Sequence, residues 1–133
     1  MKTNGLKAIK KPINFSSNVL DIREIVGRFQ FLDSEFEKVI NSDTSYDDWT
    51  DEKEEEFTVI QKVLDDIRGC DYEWNGNIYP LTFVHEKHFQ KYIEATVSEN
   101  LPSLISVDWK KTAENQKRDY FEVEIGGSVY FFK

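Results

Sequence analysis

The spacing of hydrophobic positions changes several times along this chain, and each change marks a predicted element. From Phe57 onward the apolar residues recur three and four apart, which is the spacing of one face of an α-helix. Asp48 or Thr50 is suited to cap this helix at its start, and Gly69 is suited to end it. The buried stripe is predicted to contain Phe57, Ile60, Val63, Leu64 and Ile67.

Upstream of this helix, shorter patterns predict two helices separated by a strand. Asn18 can cap a short helix that Gly27 ends. Residues 29–31 alternate between aromatic and polar side chains, which is typical of a strand. Ser34 and Glu37 have the spacing of a capping box, so a second helix is expected to begin there.

Two turn signals predict two β-hairpins in the second half of the chain. Asn75-Gly76 separates residues 72–74 from residues 78–79, and residues 81–84 are expected to extend that second strand beyond Pro80. Gly126-Gly127 separates residues 120–125 from residues 128–132 in the same way.

Between the hairpins, helices are predicted from about Glu86 and from Trp109, the latter capped by Asp108. The predicted fold class is α+β. Residues 1–133 form a single domain in which a small antiparallel sheet of three to four strands, with two hairpins, is packed on one face by helices.

Charge is distributed unevenly along the chain. Residues 33–73 contain fifteen Asp and Glu against four Lys and Arg, a net charge of −11, whereas the whole chain carries −8. Such a field repels phosphate backbones and anionic membranes, so neither direct nucleic-acid binding nor membrane binding is expected. The alternative is that the acidity only keeps the protein soluble.

Residues 1–17 form a basic N-terminal arm, for which only Ile9, Ile13 and Phe15 offer apolar anchors. The sequence leaves open whether the arm folds back on the acidic segment or is mobile. The single Cys70 excludes an internal disulfide, and no apolar leader or membrane-length segment is visible, so a cytoplasmic location is expected.

No catalytic, cofactor or metal motif is evident. His85 and His88 are three residues apart, not the four of a His-Glu-x-x-His zinc motif. Cys70 follows a predicted helix C-terminus and precedes Asp71, and both disfavour a reactive thiolate. Phosphate-binding glycine loops and nucleophile elbows are absent from the sequence. We therefore predict no enzyme, no catalytic residue, no metal site and no cofactor.

The acidic run from residue 43 to residue 56, with eight carboxylates and one lysine, is the candidate partner-binding site. Carboxylates three or four apart on a helix lie about 5–6 Å from each other and create a potential similar to that of a nucleic-acid backbone. Tyr46 and Trp49 are candidate aromatic anchors, and the alternative is that both pack into the core. The candidate residues are Asp43, Tyr46, Asp47, Asp48, Trp49, Asp51, Glu52, Glu54, Glu55 and Glu56.

The C-terminal half also resembles a motif of small phage, prophage and plasmid proteins. In this group the pattern is Ile-Asp-Trp-x-x-x-Ala, then Asp-Tyr-x-x-Val, a Gly and a Tyr. The matching residues here are Val107-Asp108-Trp109-Lys110-Lys111-Thr112-Ala113, Asp119-Tyr120, Val123, Gly127 and Tyr130, with Tyr79-Pro80-Leu81-Thr82-Phe83-Val84, Phe89 and Tyr92 upstream. The group is the antirestriction-like, ArdA-related proteins, and the match covers about residues 69–133.

The resemblance implies an acidic DNA mimic made by a mobile element. The expected function is inhibition of a host nucleic-acid-handling defence by occupation of a basic cleft, in the cytoplasm of a bacterial host. The expected partner is a basic nucleic-acid-binding host protein, either a restriction enzyme or a CRISPR effector. The alternative is a non-catalytic phage interaction or regulatory module that dimerises through exposed aromatic residues, so both a monomer and a homodimer remain open.

Overall fold

The structure, a computed structural model, describes residues 8–41, 49–99 and 106–133. It contains a four-stranded antiparallel sheet, a separate two-stranded hairpin and four α-helices, which confirms the α+β fold class. The helices are α1 (Ile22–Asn41), α2 (Asp51–Asp66), α3 (Phe89–Ser98) and α4 (Trp109–Gln116). The strands are β1 (Val19–Asp21), β2 (Tyr72–Trp74), β3 (Asn77–Tyr79), β4 (Thr82–His85), β5 (Phe121–Ile125) and β6 (Ser128–Phe132).

The four-stranded sheet is covered by helices on both faces, and not on one face as the sequence predicted. Its strand order is β1-β4-β6-β5. On one face, Phe83, Ile125 and Tyr130 join a core with the apolar stripes of α1 and α2. On the other face, Val84 and Phe131 belong to a second core with apolar residues of α3 and α4. Neighbouring residues of the two central strands, β4 and β6, thus enter different cores.

The first helix is continuous, so the predicted break at Gly27, the strand at 29–31 and the capping box at Ser34 are wrong. Ile22, Ile25, Val26, Leu32 and Val39 are all buried along α1, at helical spacing. A mid-helix glycine costs about 1 kcal/mol relative to alanine, which is less than burial of this stripe contributes.

Tertiary contacts explain why the aromatic residues at 29–31 do not form a strand. Phe29 stacks on Phe57 of α2 at 5.4 Å and meets the edge of Trp74 at 5.7 Å, while the Arg28 guanidinium lies over the Phe31 ring. These neighbours are distant in sequence and are reached from a helix, so the local alternation did not decide the conformation.

The hairpin predicted at Asn75-Gly76 is confirmed, but β4 does not extend it. Asn75 and Gly76 both have positive φ, 51° and 84°, as a two-residue hairpin turn requires. Pro80 follows β3 and lacks an N–H with which to continue a ladder. The chain then enters the other sheet, where β4 pairs with β1 and β6.

The helix boundaries confirm the predicted N-caps Thr50 and Asp108 and contradict the predicted helix end at Gly69. Thr50 caps α2 by accepting a hydrogen bond from Lys53 N at 3.2 Å, and Asp108 caps α4 by accepting from Lys111 N. Gly69 is not a left-handed helix end, because α2 stops at Asp66 and Gly69 has no positive φ. Glycine is needed at this position because the Gly69 backbone passes so close to Pro80 that a side chain would not fit. The predicted stop signals of α3, Asn100 and Pro102, lie outside the described residues.

From residue 8 onward the N-terminal segment is attached to the body of the protein, as the alternative in which the arm folds back on the acidic segment expects for that part. Ile9 N donates to Gly27 O, and Ile13 and Phe15 pack against the main core as predicted. The Tyr130 hydroxyl lies 2.8 Å from the carbonyl oxygens of both Phe15 and Ser17. Residues 1–7 lie outside the described residues.

We expect Gly69→Ala to destabilise the protein by about 1–3 kcal/mol, as overpacking does. A Cβ at Gly69 would lie 2.3 Å from Pro80 N, and this neighbour is backbone that cannot move aside. Urea unfolding measures the change. Cys70→Ala is the matched control, because Cys70 is exposed and its truncation should change stability by less than about 0.5 kcal/mol. Equal stability of the two variants would contradict the close approach.

We also expect Tyr130 to make stability fall at alkaline pH. Burial raises the pKa of Tyr130 from 10.0 to about 12. The unfolded chain therefore ionises first, so this contribution is complete below pH 10 and is lost as the pH rises toward 12. Unfolding free energies measured across that range should decline less steeply in Tyr130→Phe than in the wild type. Parallel declines would show that the phenol does not carry this dependence.

Candidate functional site

The start of helix α2 holds the described part of the acidic run. Thr50 fixes the first turn as its N-cap, and Asp51, Glu52 and Glu54 follow in that turn. The N-terminal end of a helix carries partial positive charge, which stabilises carboxylates placed there. The acidic residues of the first turn therefore both stabilise the start of α2 and concentrate negative charge there.

Four of these carboxylates are exposed, and they spread over the outward half of the helix. Successive residues on an α-helix are rotated by about 100°. Asp51 and Glu55 consequently share the outward stripe, with Glu52 on one flank and Glu54 on the other; all four are exposed. The acidic surface is therefore a broad cap on the first turns of α2 and not a single row. Asp65 and Asp66 add exposed carboxylates at the far end of the helix.

Glu56 does not belong to this surface, and its prediction as a contact residue is wrong. Its side chain is buried against Arg28, whose Nε and Nη2 donate to Glu56 Oε2 and Oε1 at 2.9 and 2.8 Å. Ile13 N donates a third hydrogen bond to Glu56 Oε2 at 2.9 Å. The reason is helical geometry, because Glu56 lies on the same side of α2 as Ile60 and Val63, which face the core.

Trp49 belongs to an aromatic cluster at the edge of the core, as the alternative interpretation of this residue expected. Its ring is half-buried and lies 5.1 Å from the Phe36 ring and 5.6 Å from the Phe57 ring. The indole N–H donates to Glu54 Oε1 at 3.2 Å. Trp49 therefore connects the Glu54 carboxylate to the aromatic cluster, and part of its ring stays accessible at the surface.

The remaining candidates cannot be placed on this surface. Asp43, Tyr46, Asp47 and Asp48 lie outside the described residues. The structure thus brings together Asp51, Glu52, Glu54 and Glu55 of the ten residues predicted from the sequence.

A groove beside α2 brings in acidic residues that sequence reasoning did not connect with the site. One part of it has a volume of about 440 Å³ and is lined by residues including Glu52, Glu55, Val59 and Glu124. A second part, of about 410 Å³, continues along β5 and is lined by residues including Lys62, Asp66, Val123 and Phe132. Lys62 and Glu124 line both parts, so together they form one continuous groove between α2 and β5, which we call the α2–β5 groove.

Glu122 and Glu124 alternate along β5 with Val123 and Ile125, and both glutamates are exposed. Their proximity to α2 depends on β5 lying at the edge of the sheet. No local pattern indicates which strand of an antiparallel sheet is the edge, so this part of the site required the tertiary structure.

His85 has structural surroundings. His85 is buried, its Nδ1 accepts from Lys87 N at 3.1 Å, and its ring meets Tyr130 edge-on at 5.1 Å. Within residues 8–41, 49–99 and 106–133, no three His, Cys, Asp or Glu side chains are grouped as metal ligands would be. Over the same ranges, no helix has the length and apolar character that crossing a bilayer would need.

We expect Glu56→Ala to destabilise the protein by about 3–5 kcal/mol, because it leaves the buried Arg28 charge without its partner. Glu55→Ala, one residue earlier on the exposed side, should change stability by less than about 0.5 kcal/mol. Thermal or urea unfolding of both variants makes the comparison. A similar loss for the two variants would show that the Arg28–Glu56 pair does not distinguish these neighbouring glutamates.

Comparison with known proteins leaves the site to be argued from its own residues: no protein-family model, curated protein or solved structure matches this chain. The resemblance of residues 69–133 to the antirestriction-like group stays a prediction. Its motif residues have folding roles here, since Asp108 caps α4 and Gly127 occupies the turn between β5 and β6 with φ of 85°.

Proposed function

We propose that this protein is an acidic, nucleic-acid-mimicking inhibitor of a host nucleic-acid-handling defence, either a restriction enzyme or a CRISPR effector. It acts in the bacterial cytoplasm by occupying the basic cleft with which that enzyme holds nucleic acid. The proposal needs binding only, and it assigns no catalytic residue and no cofactor.

The observation that supports this proposal is the density of exposed charge at the start of α2. Asp51, Glu52, Glu54 and Glu55 are exposed within five residues, which span about 6 Å of helix axis. Duplex DNA carries about one charge per 1.7 Å of its axis, so a segment of similar length carries about three or four phosphates. A cleft lined by Lys and Arg would meet a comparable charge density on this helix.

The helix also holds these charges in fixed positions. Thr50 caps it, and Ile60, Val63 and Leu64 anchor its opposite side in the core. A preorganised charged surface loses little conformational freedom when it binds, and complementary charge accelerates encounter with a cationic partner. Rigid presentation therefore favours a surface that imitates a polynucleotide over one that only raises solubility.

The test measures DNA cleavage by a panel of purified restriction endonucleases and CRISPR effectors in the presence of this protein. We expect inhibition of at least one enzyme, relieved by excess DNA and weakened by salt, because exposed charges are screened over about 8 Å at physiological ionic strength. Replacing Asp51, Glu52, Glu54 and Glu55 with Lys should abolish the inhibition.

A matched control separates position from net charge. Replacing the exposed Glu24, Glu86, Glu99 and Glu114 with Lys alters the net charge by the same amount on other parts of the surface. This control should still inhibit, with both variants shown to be folded by circular dichroism. Equal inhibition by the two variants, or no inhibition of any enzyme in the panel, would rule out the proposal.

A second candidate function is a non-catalytic interaction module that dimerises through exposed aromatic residues. Phe121 favours it, because 66% of this residue is exposed at the start of β5. Light scattering at low and high salt distinguishes the two functions. A homodimer that persists in high salt and dissociates in Phe121→Ser would favour the module, whereas a monomer at both salt concentrations would oppose it.

A further inference from the structure

Strand β5 is an edge of the four-stranded sheet, and its outer side has hydrogen-bonding capacity to spare. Among the residues that the structure describes, β5 pairs with β6 alone. It is five residues long, about 17 Å at the rise of an extended strand. An edge of this length is a template on which another extended segment can pair.

The register identifies which main-chain groups of β5 point outward. Ile125 and Ser128 flank the two-residue turn and pair with each other. In a hairpin of this kind the flanking pair exchanges hydrogen bonds, and the pairs along an antiparallel ladder then alternate between bonded and non-bonded. The N–H and C=O groups of Glu122 and Glu124 therefore point away from β6, toward the open edge.

The α2–β5 groove runs along this edge and is lined by both apolar and acidic residues. Val59, Val63, Val123 and Phe132 contribute apolar surface to it. The exposed carboxylates that line it or project beside it belong to α2 and to β5; they are Glu52, Glu55, Asp66, Glu122 and Glu124. Lys62 is the one basic residue among the groove-lining residues of the described chain.

Glu122 and Glu124 determine which kind of strand can pair with β5. Suppose that a second copy paired antiparallel with β5 so that the two Val123 residues lay opposite each other. Glu122 of each copy would then lie opposite Glu124 of the other copy. Like charges directly opposite each other in a sheet are destabilising, whereas opposite charges are stabilising. The edge thus disfavours self-pairing and favours a strand with Lys or Arg at alternate positions.

We infer that the α2–β5 groove binds an extended cationic segment of a partner protein, which adds to the sheet as an antiparallel strand beside β5. Its basic side chains lie opposite Glu122 and Glu124, and its main chain bonds the outward N–H and C=O groups of those two residues. Alternate side chains of the segment enter the groove over Val123. This mode combines main-chain affinity with side-chain selection.

This inference does not rest on the proposed inhibition of a defence enzyme. The proposed inhibitory surface includes Asp51 and Glu54, which do not line the groove, whereas strand addition depends on Glu122 and Glu124. Glu52 and Glu55 belong to both surfaces, so substitutions at Glu122 and Glu124, which are outside the inhibitory surface, are the ones that separate the two activities. The competing explanation for these two glutamates is that they only protect the edge against aggregation.

The test uses a fluorescently labelled, end-blocked peptide, Gly-Arg-Val-Arg-Val-Arg-Gly, and fluorescence anisotropy with the full chain. We expect saturable binding, weakened at least about tenfold by Glu122→Lys with Glu124→Lys, because attraction becomes repulsion. Glu99→Lys with Glu114→Lys, which changes net charge equally on exposed helical positions, should leave affinity within about twofold. Absence of binding, or equal weakening by the two variants, would overturn the inference.

Two N-methylated peptides separate strand addition from plain charge attraction. In antiparallel addition the arginine amides opposite Glu122 and Glu124 point toward β5, and the valine amides point away. Methylating the arginine amides should weaken binding about tenfold or more through lost hydrogen bonds, and methylating the valine amides should not. Unchanged affinity of both methylated peptides would overturn the inference.

A self-association measurement tests whether a second copy of this chain, and not a partner protein, occupies the edge of β5. Sedimentation of the wild-type chain should show no dimer that the peptide dissociates, because β5 is not occupied by another copy. A wild-type dimer that the peptide converts to monomers would place a second copy on the edge and overturn the inference.

Discussion

The buried ion pair between Arg28 and Glu56 holds together the parts of the structure on which the acidic surface depends. Both side chains are at least nine-tenths buried, and the pair joins the middle of α1 to the first half of α2. Arg28 Nη1 also donates to the carbonyl oxygens of Ile9 and Lys10. A buried ion pair is stabilising only when its remaining hydrogen-bonding groups are satisfied, and here the N-terminal segment satisfies them.

This network helps to position one residue that lines the α2–β5 groove, Phe15 of the N-terminal segment. Hydrogen bonds from that segment to the pair fix its path as far as Ile13, and two residues later Phe15 packs over the turn of the terminal hairpin. A Cβ at Gly126 would lie 2.4 Å from the Phe15 ring, so the turn must carry glycine where the ring crosses it. Phe15 then lines one end of the groove.

The sequence predicted those elements whose signals are local, and it failed where distant contacts decide. The Asn75-Gly76 turn and the Thr50 cap need only neighbouring residues, and both were found. The continuity of α1 depends on Phe29 meeting Phe57 and Trp74, which no window around Gly27 contains. Position on the helix separates Glu56 from Glu55, but only the tertiary structure supplies the Arg28 that makes burial of a carboxylate tolerable.

The placement of charge argues for recognition rather than for solubility. Solubility is served by charge anywhere on the surface, and exposed carboxylates crowded on one helix repel each other at some cost in stability. Here the helix dipole offsets part of that cost at Asp51 and Glu52, and further acidic residues border the adjoining edge of the sheet. A cationic partner would relieve the repulsion at both places, so this arrangement of charge would favour the binding of a basic surface or segment that we propose.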